Sequence, residues 1–344
     1  MNPLISSIML SNLALGVIIT ATSFHWFLAW VGLELNTLAI IPILAKQHHP
    51  RATEAATKYF IIQATTSAII LFSSTFNAWH TGIWDITQLS TPPATTMMTI
   101  ALAMKLGLAP MHFWLPEVMQ GISLTTALII TTWQKLPPMT LLYLTMPNLP
   151  TPTLFVLALT STLIGGWSGL NQTQMRKIMA FSSIAHLGWM VTALSLSQNL
   201  LLFTLLTYIL MTSSMFIILI STSSKTTKDL SQLWSTSPTT TSISLITLIS
   251  LGGLPPLMGF MPKWLILKEL TTYHLTPLAT ALALSSLLSL MFYIRLTYVT
   301  TLTISPNTSN SMMKWRFKLV KPFNMVPMIT TTLISIPLLP LISP

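Results

Sequence analysis

Four ionisable residues stand inside long apolar segments of this chain: Glu34, Lys105, Lys135 and Lys263. An isolated charge at the centre of a membrane-spanning helix costs about 2.5–3.5 kcal/mol on insertion scales. Such residues are kept where they face a protein interior or a water-filled cavity. Burial disfavours the charged form of lysine, whereas a nearby carboxylate favours it. A lysine whose acidic partner alternately approaches and withdraws would therefore bind and release a proton. The four residues are therefore candidate proton-transfer groups.

Proline lies close to each of the three lysines: Pro110 after Lys105, Pro137 after Lys135, and the pair Pro255-Pro256 before Lys263. Proline inside a helix removes one backbone donor and frees a carbonyl one turn back. At membrane depth the freed groups are tolerated only where they meet protein or water. We therefore predict two proline-broken helices, at Pro110 and at Pro255-Pro256, each beside a hydrated polar site.

The composition identifies the class of protein that holds these groups. Of 344 residues, 6% are charged and 52% are hydrophobic, and the mean hydropathy is +0.71. A soluble domain carries about a quarter charged residues, and a disordered chain is far less apolar. The prediction is an all-α polytopic membrane protein with about eleven transmembrane helices. Cysteine is absent, which excludes disulfides and thiolate-bound clusters. No His, Asp or Glu set has metal-ligand spacing, so neither a metal nor a cofactor is expected in this chain.

Hydrophobic windows place the spans near 3–21, 25–45, 57–78, 94–114, 124–145, 151–170, 176–196, 199–220, 240–270, 276–302 and 323–342. We divide them into a first five-helix unit (1–150), a second five-helix unit (151–302), and a basic loop with a last helix (303–344). The broken span is the fourth in each unit. Because five is odd, the second unit enters the membrane from the opposite side, which is the pattern of an inverted repeat.

The net charge of +10 is mainly a signal of topology. Eleven of the sixteen basic residues fall in alternate loops: 46–58, 171–177, 221–237 and 303–322. The loops between them hold no Lys or Arg, and Asp85 is their one formal charge. This positive-inside pattern places the N-terminus on the positive side and the C-terminus on the other. Loop 115–123 belongs to the positive set yet carries only Glu117. No nucleic-acid partner is needed to explain the charge.

Two histidines extend the set of candidate groups. His112 and His186 lie in apolar segments and titrate near neutrality, so we consider them as possible relays. The plainer alternatives stay open at this point. A buried Lys–Glu pair can serve only to fix helix packing, and a lone histidine on an apolar span is more often a structural group.

The segment 105–117 reads Lys-Leu-Gly-Leu-Ala-Pro-Met-His-Phe-Trp-Leu-Pro-Glu. It resembles the broken-helix motif of the antiporter-like membrane subunits of respiratory complex I. Supporting stretches are 30–36, with Glu34, 176–188, with His186, and 251–264, with Pro255, Pro256 and Lys263. The resemblance covers essentially the whole chain.

The resemblance implies proton translocation across the mitochondrial inner membrane, driven by NADH-to-ubiquinone electron transfer elsewhere in the complex. Glu34 and Lys105 match the family's Glu–Lys pair. Lys135 matches the central lysine of the first half-channel and Lys263 the broken-helix lysine of the second. His112 and His186 match polar positions along the hydrated axis. Flavin, iron–sulfur clusters and ubiquinone are expected in partner subunits.

The same resemblance implies the surroundings of the chain. Its partners are the other complex I subunits, above all the neighbouring antiporter-like ones, together with lipid, with cardiolipin a candidate at the basic loops. The N-terminus is expected on the matrix side and the C-terminus on the intermembrane-space side. Two alternatives remain: a subunit of a related cation/proton antiporter, which shares these motifs, and a purely structural membrane subunit.

Overall fold

A computed structural model of the chain describes residues 3–47 and 49–303. These residues are almost entirely helical, and their only β-type pairings are two isolated bridges. The all-α prediction is therefore confirmed for the described part of the chain. The predicted eleventh span, 323–342, lies outside the described residues.

The described residues form fifteen α-helices in succession: α1 (Pro3–Thr22), α2 (Trp26–Leu44), α3 (Pro50–Thr81), α4 (Pro92–Leu106), α5 (Trp114–Gly121), α6 (Leu124–Thr131), α7 (Leu136–Thr145), α8 (Thr151–Gly169), α9 (Met175–Leu196), α10 (Gln198–Thr222), α11 (Thr227–Ser231), α12 (Leu233–Thr236), α13 (Pro238–Gly252), α14 (Phe260–Thr272) and α15 (Thr276–Leu302). Six of them, α1, α2, α3, α9, α10 and α15, are long and apolar enough to cross a membrane. The total of eleven spans stays a prediction.

The two predicted helix breaks lie where the prolines placed them. The fourth predicted span, 94–114, contains α4 and the break at Pro110 and ends where α5 begins, and the ninth divides into α13 and α14, on either side of Pro255-Pro256. The fifth span is also interrupted: α6 ends at Thr131 and a 3₁₀ turn, Trp133–Lys135, precedes α7. Pro137 and Pro138 fit in the first turn of α7, where proline is tolerated because those N–H groups have no partner in the helix.

The helices form two compact units. The first contains Met1–Ser161 and Met190–Gln198. In it, α3 packs against α2, α4 and α5, and α7 packs against α1, α2 and α4. Helices α1 and α2 cross closely because glycines stand at the crossing: a Cβ on Gly32 would lie 3.0 Å from the carbonyl oxygen of Gly16.

The second unit contains Thr162–Trp189 and the described residues from Asn199 onward. Helix α15 packs against α11, α13 and α14. The Arg295 guanidinium, on α15, donates to the backbone carbonyls of Leu170 and, at 2.6 Å, Gln172. It therefore satisfies carbonyl groups just past the end of α8, a favourable place for a cation. The inverted relation between two five-helix units stays a prediction.

Three contacts between loops agree with the predicted alternation of sides. The Ile86 N–H donates to the Phe24 carbonyl at 3.0 Å, which joins two loops of the uncharged set. The Met175 N–H donates to the Lys225 carbonyl at 3.0 Å, which joins two loops of the positive set. Lys58 lies 2.7 Å from a carboxylate oxygen of Glu117. Glu117, the exception to the charge pattern, is thus paired with a lysine of its own predicted side.

Single cysteines can test this topology, since the chain has none of its own. Ser90 and Gln232 are exposed and lie in opposite loop sets. We expect a charged, membrane-impermeant thiol reagent to label Ser90→Cys from one face of sealed membrane vesicles that contain the protein and Gln232→Cys from the other. The cysteine-free parent is the control. Labelling of both variants from the same face would contradict the alternation.

Candidate functional site

The first helix break is built around Gly107. This residue follows the last turn of α4 in the left-handed region, with φ of 82°, where glycine has no steric cost. The Leu108 N–H then donates back to the Ala103 carbonyl at 2.9 Å, and the indole N–H of Trp114 donates to the Met104 carbonyl at 3.1 Å. These bonds satisfy carbonyls that the end of the helix leaves open.

The second break repeats this arrangement. Gly253 follows α13 with φ of 79°, and the Leu254 N–H donates back to the Ile249 carbonyl at 3.4 Å. The next helix begins at Trp114 in the first break and at Phe260 in the second, seven residues after the glycine in both cases. The two broken helices therefore share one local design.

The lysines of the two breaks do not occupy equivalent positions. Lys105 precedes its glycine, in the last turn of α4, whereas Lys263 follows its glycine and lies on α14. The Lys263 ammonium donates at 2.9 Å to the carbonyl of Gly252, the last residue of α13. Counting from the glycines, the first-unit equivalent of Lys263 is Glu117, which is paired with Lys58.

A cavity in the first unit joins two of the predicted site residues. Lys105 and Lys135 both line it, together with four uncharged polar residues: Asn36, Tyr59, Gln63 and Gln134. The space open to the centre of a water molecule is about 20 Å³. A water needs roughly 10–15 Å³ by this measure, with polar partners. The cavity therefore has room for water beside both lysines.

Several polar atoms at this cavity have no hydrogen-bond partner among the described residues. They are Lys105 Nζ, both side-chain polar atoms of Asn36, and Gln134 Nε2. Lys105 is only 7% exposed and Asn36 only 2%. Since a buried polar group without a partner costs about 1–3 kcal/mol, a cavity that can admit water is the physically consistent place for such a cluster.

Glu34 stands next to this cluster without touching Lys105. The ion pairs found among the described residues join Lys58 to Glu54 and Glu117, each at 2.7 Å. Glu34 is half-buried on α2, and its Oε2 has no hydrogen-bond partner there. Glu34 and Lys105 therefore form no salt bridge among the described residues, and the Glu–Lys pair stays a prediction.

The histidines lie apart from the cavity lining. His112 is buried in the first break, with Nδ1 3.2 Å from the Pro110 carbonyl oxygen and its ring against Phe113. His186 is on α9, and its ring centre lies 5.7 Å from that of Tyr208. Within the described part of the chain, no group of three or more acidic or histidine side chains is placed to hold a metal ion.

Sequence reasoning missed the uncharged part of the site. Asn36, Tyr59, Gln63 and Gln134 line the cavity but drew no prediction, because a single amide or phenol in an apolar segment is common. The sequence signal that could have identified two of these residues was their position next to the predicted site residues. Gln134 is adjacent to Lys135, and Asn36 lies two residues after Glu34.

Comparison with known proteins gives one family over the whole chain. Residues 23–289 match the family described as NADH:quinone oxidoreductase/Mrp antiporter, TM, and residues 290–344 match the NADH dehydrogenase subunit 2 C-terminus. NADH-ubiquinone oxidoreductase chain 2 of Xenopus laevis is 59% identical over 322 residues, which cover 94% of this chain and 93% of that protein.

Solved structures show the same fold. A chain of respiratory complex I from Thermus thermophilus superposes with a TM-score of 0.86 and 26% identity, covering 99% of this chain and 80% of that one. A chain of the Mrp complex from Dietzia sp. DQ12-45-1b superposes with a TM-score of 0.80 over 87% of this chain and 61% of that one. At 19% identity, the second comparison shows the fold alone.

Alanine substitutions at Gly253 and at Gly82 test the contact between the second break and Lys263. Gly82 and Gly253 are both left-handed, so alanine at either costs about 1–2 kcal/mol of backbone strain. A Cβ on Gly253 would also lie 2.8 Å from Lys263 Nζ, whereas nothing lies within 4 Å of one on Gly82. We expect Gly253→Ala to lower both the thermal unfolding midpoint and proton pumping of the complex, and Gly82→Ala to lower the midpoint only slightly. Equal behaviour of the two variants would contradict the contact with Lys263.

Proposed function

The chain belongs to the NADH:quinone oxidoreductase/Mrp antiporter membrane family, and we propose that it is a membrane-arm subunit of respiratory complex I that translocates protons. Relatives that match it over nearly their full length are named NADH-ubiquinone oxidoreductase chain 2. Electron transfer from NADH to ubiquinone belongs to the complex, with flavin and iron–sulfur clusters in partner subunits. The observation that carries the proposal is the cavity that Lys105 and Lys135 share.

Proton exchange between Lys105 and Lys135 is the central step of the proposal. Both side chains line one small, buried cavity. Two ammonium groups in such a space repel each other, and burial opposes the second charge. One proton shared between the two lysines is therefore favoured over two. Water in the cavity would bridge the lysines and provide the hydrogen bond that the Lys105 ammonium lacks among the described residues.

Glu34 acts in this scheme as the switch. Its carboxylate forms no salt bridge with Lys105 in this conformation, and Glu34 lies two residues before Asn36 of the cavity lining on α2. Closer approach of the carboxylate would hold the proton on Lys105, and withdrawal would release it towards Lys135. Small movements of α2 relative to α4 would then control the proton.

Lys263 is the corresponding proton carrier of the second unit. Its ammonium is bound to the Gly252 carbonyl, and the C-terminal end of a helix favours a cation. In our proposal this hydrogen bond favours the protonated form of Lys263, and transfer requires that it be broken. We propose His186 and His112 as relay positions in their respective units, since imidazole titrates near neutrality.

Topology and location complete the proposal. We propose eleven spans in two inverted five-helix units, with the basic loops and the N-terminus in the mitochondrial matrix and the C-terminus in the intermembrane space. The loop contacts within each predicted side support this arrangement. The basic loops suit anionic lipid headgroups, cardiolipin among them. Neighbouring antiporter-like subunits are the proposed partners, and this chain is proposed to hold no cofactor.

Two other functions have weaker support. An antiporter-complex subunit is supported by the fold similarity to the Mrp complex, but that similarity carries 19% identity, against 59% for the complex I relative. Purification of the chain with flavin- and cluster-bearing subunits separates the two. A purely structural subunit gives no reason to keep Lys105 and Asn36 buried without partners.

Replacing Lys105 by methionine tests the function directly. We expect Lys105→Met in the assembled complex to reduce proton pumping and NADH:ubiquinone turnover by a factor on the order of 10²–10⁴, the usual contribution of a proton-transfer group. Pumping is measured as acidification in sealed vesicles and turnover as NADH oxidation. Assembly is checked on native gels.

Lys58→Met is the matched control for this experiment. Lys58 is an exposed lysine with two carboxylate partners, and surface ion pairs of this kind contribute about 0–1 kcal/mol. We expect its loss to leave pumping near the parent level. Normal pumping in an assembled Lys105→Met complex would refute the proposed role.

A further inference from the structure

We propose that Asn36 is the residue that holds water between Lys105 and Lys135, and so makes the proton transfer between them possible. This inference rests on the proposed function and adds a positioning residue to it. Asn36 lies on α2 and lines the cavity together with both lysines.

The burial of Asn36 without partners is the first observation. Its side chain is 2% exposed, and neither Oδ1 nor Nδ2 has a hydrogen-bond partner among the described residues. A side-chain amide can donate two hydrogen bonds and accept two. The unpartnered ammonium of Lys105 lines the same cavity. Water is the ligand that can satisfy a donor, an acceptor and an ammonium within so small a space.

Other buried amides of the same unit show that the fold can satisfy such groups. Asn77 is fully buried, yet its Nδ2 donates to the Gln88 carbonyl at 2.9 Å and its Oδ1 accepts from the Thr91 hydroxyl at 3.2 Å. Gln63 Nε2 donates to the backbone carbonyl of Lys105 at 3.4 Å. These amides form hydrogen bonds with other protein groups. The amide of Asn36 has no such partner among the described residues and can bind a ligand in the cavity.

Close packing of α1 fixes the position of this amide. A Cβ on Gly16 would lie 2.9 Å from both Cγ and Oδ1 of Asn36, so the α1 backbone rests against the side chain. Gly32, one turn before Asn36 on α2, brings α1 equally close. The crossing therefore restricts the rotation of Asn36 and covers that side of it.

The chemistry requires a group that binds water and does not take the proton. In the proposed step, an N–H bond of the Lys105 ammonium breaks as water accepts its proton, and the water passes one of its own protons to neutral Lys135, where a new N–H bond forms. One lysine is charged before and after, and the water is regenerated. An amide binds the water through both its N–H and its oxygen, and it is not titrated itself. Gln134 Nε2, also unpartnered, supplies a second amide.

Asn36→Leu in the assembled complex is the primary test, with Thr37→Val as its control. Thr37 is the next residue, is equally buried, and gives its hydroxyl to the Glu34 carbonyl of its own helix. We expect Asn36→Leu to slow proton pumping on the order of tenfold, part of the contribution of a positioned proton transfer, and Thr37→Val to pump like the parent. Asn36→Ser, which replaces the amide by a smaller hydroxyl and leaves room for water, should recover most of the loss. Parent-like pumping in Asn36→Leu would overturn the inference.

Asn36→Asp tests the role of Asn36 if the Asn36→Leu variant does not assemble. Aspartate has nearly the same shape, but its charge would hold the proton on a neighbouring lysine. We expect the pH profile of pumping to move to higher pH, a shift that a purely structural asparagine would not produce. An unchanged profile, or failure of this variant to assemble as well, would overturn the inference.

Lys105→Met separates this inference from the proposed function. Parent-like pumping in Lys105→Met refutes the function itself. Loss of pumping in Lys105→Met together with parent-like pumping in Asn36→Leu leaves the function standing and refutes only the role of Asn36.

Discussion

The rule that a buried polar atom needs a partner governs this protein, because hydrocarbon offers none. Among the described residues of the first unit, four of the six buried side-chain polar atoms without a hydrogen-bond partner belong to Lys105, Asn36 and Gln134, which line one cavity. The other two belong to Trp26 and Glu34. The fold concentrates its unsatisfied groups where water can enter. The break after α4 and the interruption before α7 place Lys105 and Lys135 at this point.

The two broken helices have the same backbone arrangement, but their lysines differ in hydrogen bonding. Both turn at a left-handed glycine and resume seven residues later. Lys263, on the second half-helix, is tied to the carbonyl of Gly252. Lys105, on the first half-helix, has no hydrogen-bond partner among the described residues. The same helix break thus binds a lysine to a helix-terminal carbonyl in one unit and leaves a lysine beside a cavity in the other.

The sequence predicted the features that carry a strong energetic penalty. Charges in apolar segments identified Lys105, Lys135 and Lys263, and prolines located both breaks, since each is costly unless the fold compensates. It could not predict that Asn36 and Gln134 complete the cavity, because an amide in a helix carries no such penalty until its neighbours are known. Nor could it show that Pro137 begins a helix instead of breaking one. That distinction depends on where α6 ends.

The position of water in the first unit tests the central claim most directly. A cryo-EM map of the intact complex that resolves ordered water can supply it. The account predicts water within hydrogen-bond distance of the Asn36 amide and of the Lys105 ammonium, continuing towards Lys135. A dry cavity, with these groups bonded to other protein atoms instead, would contradict it.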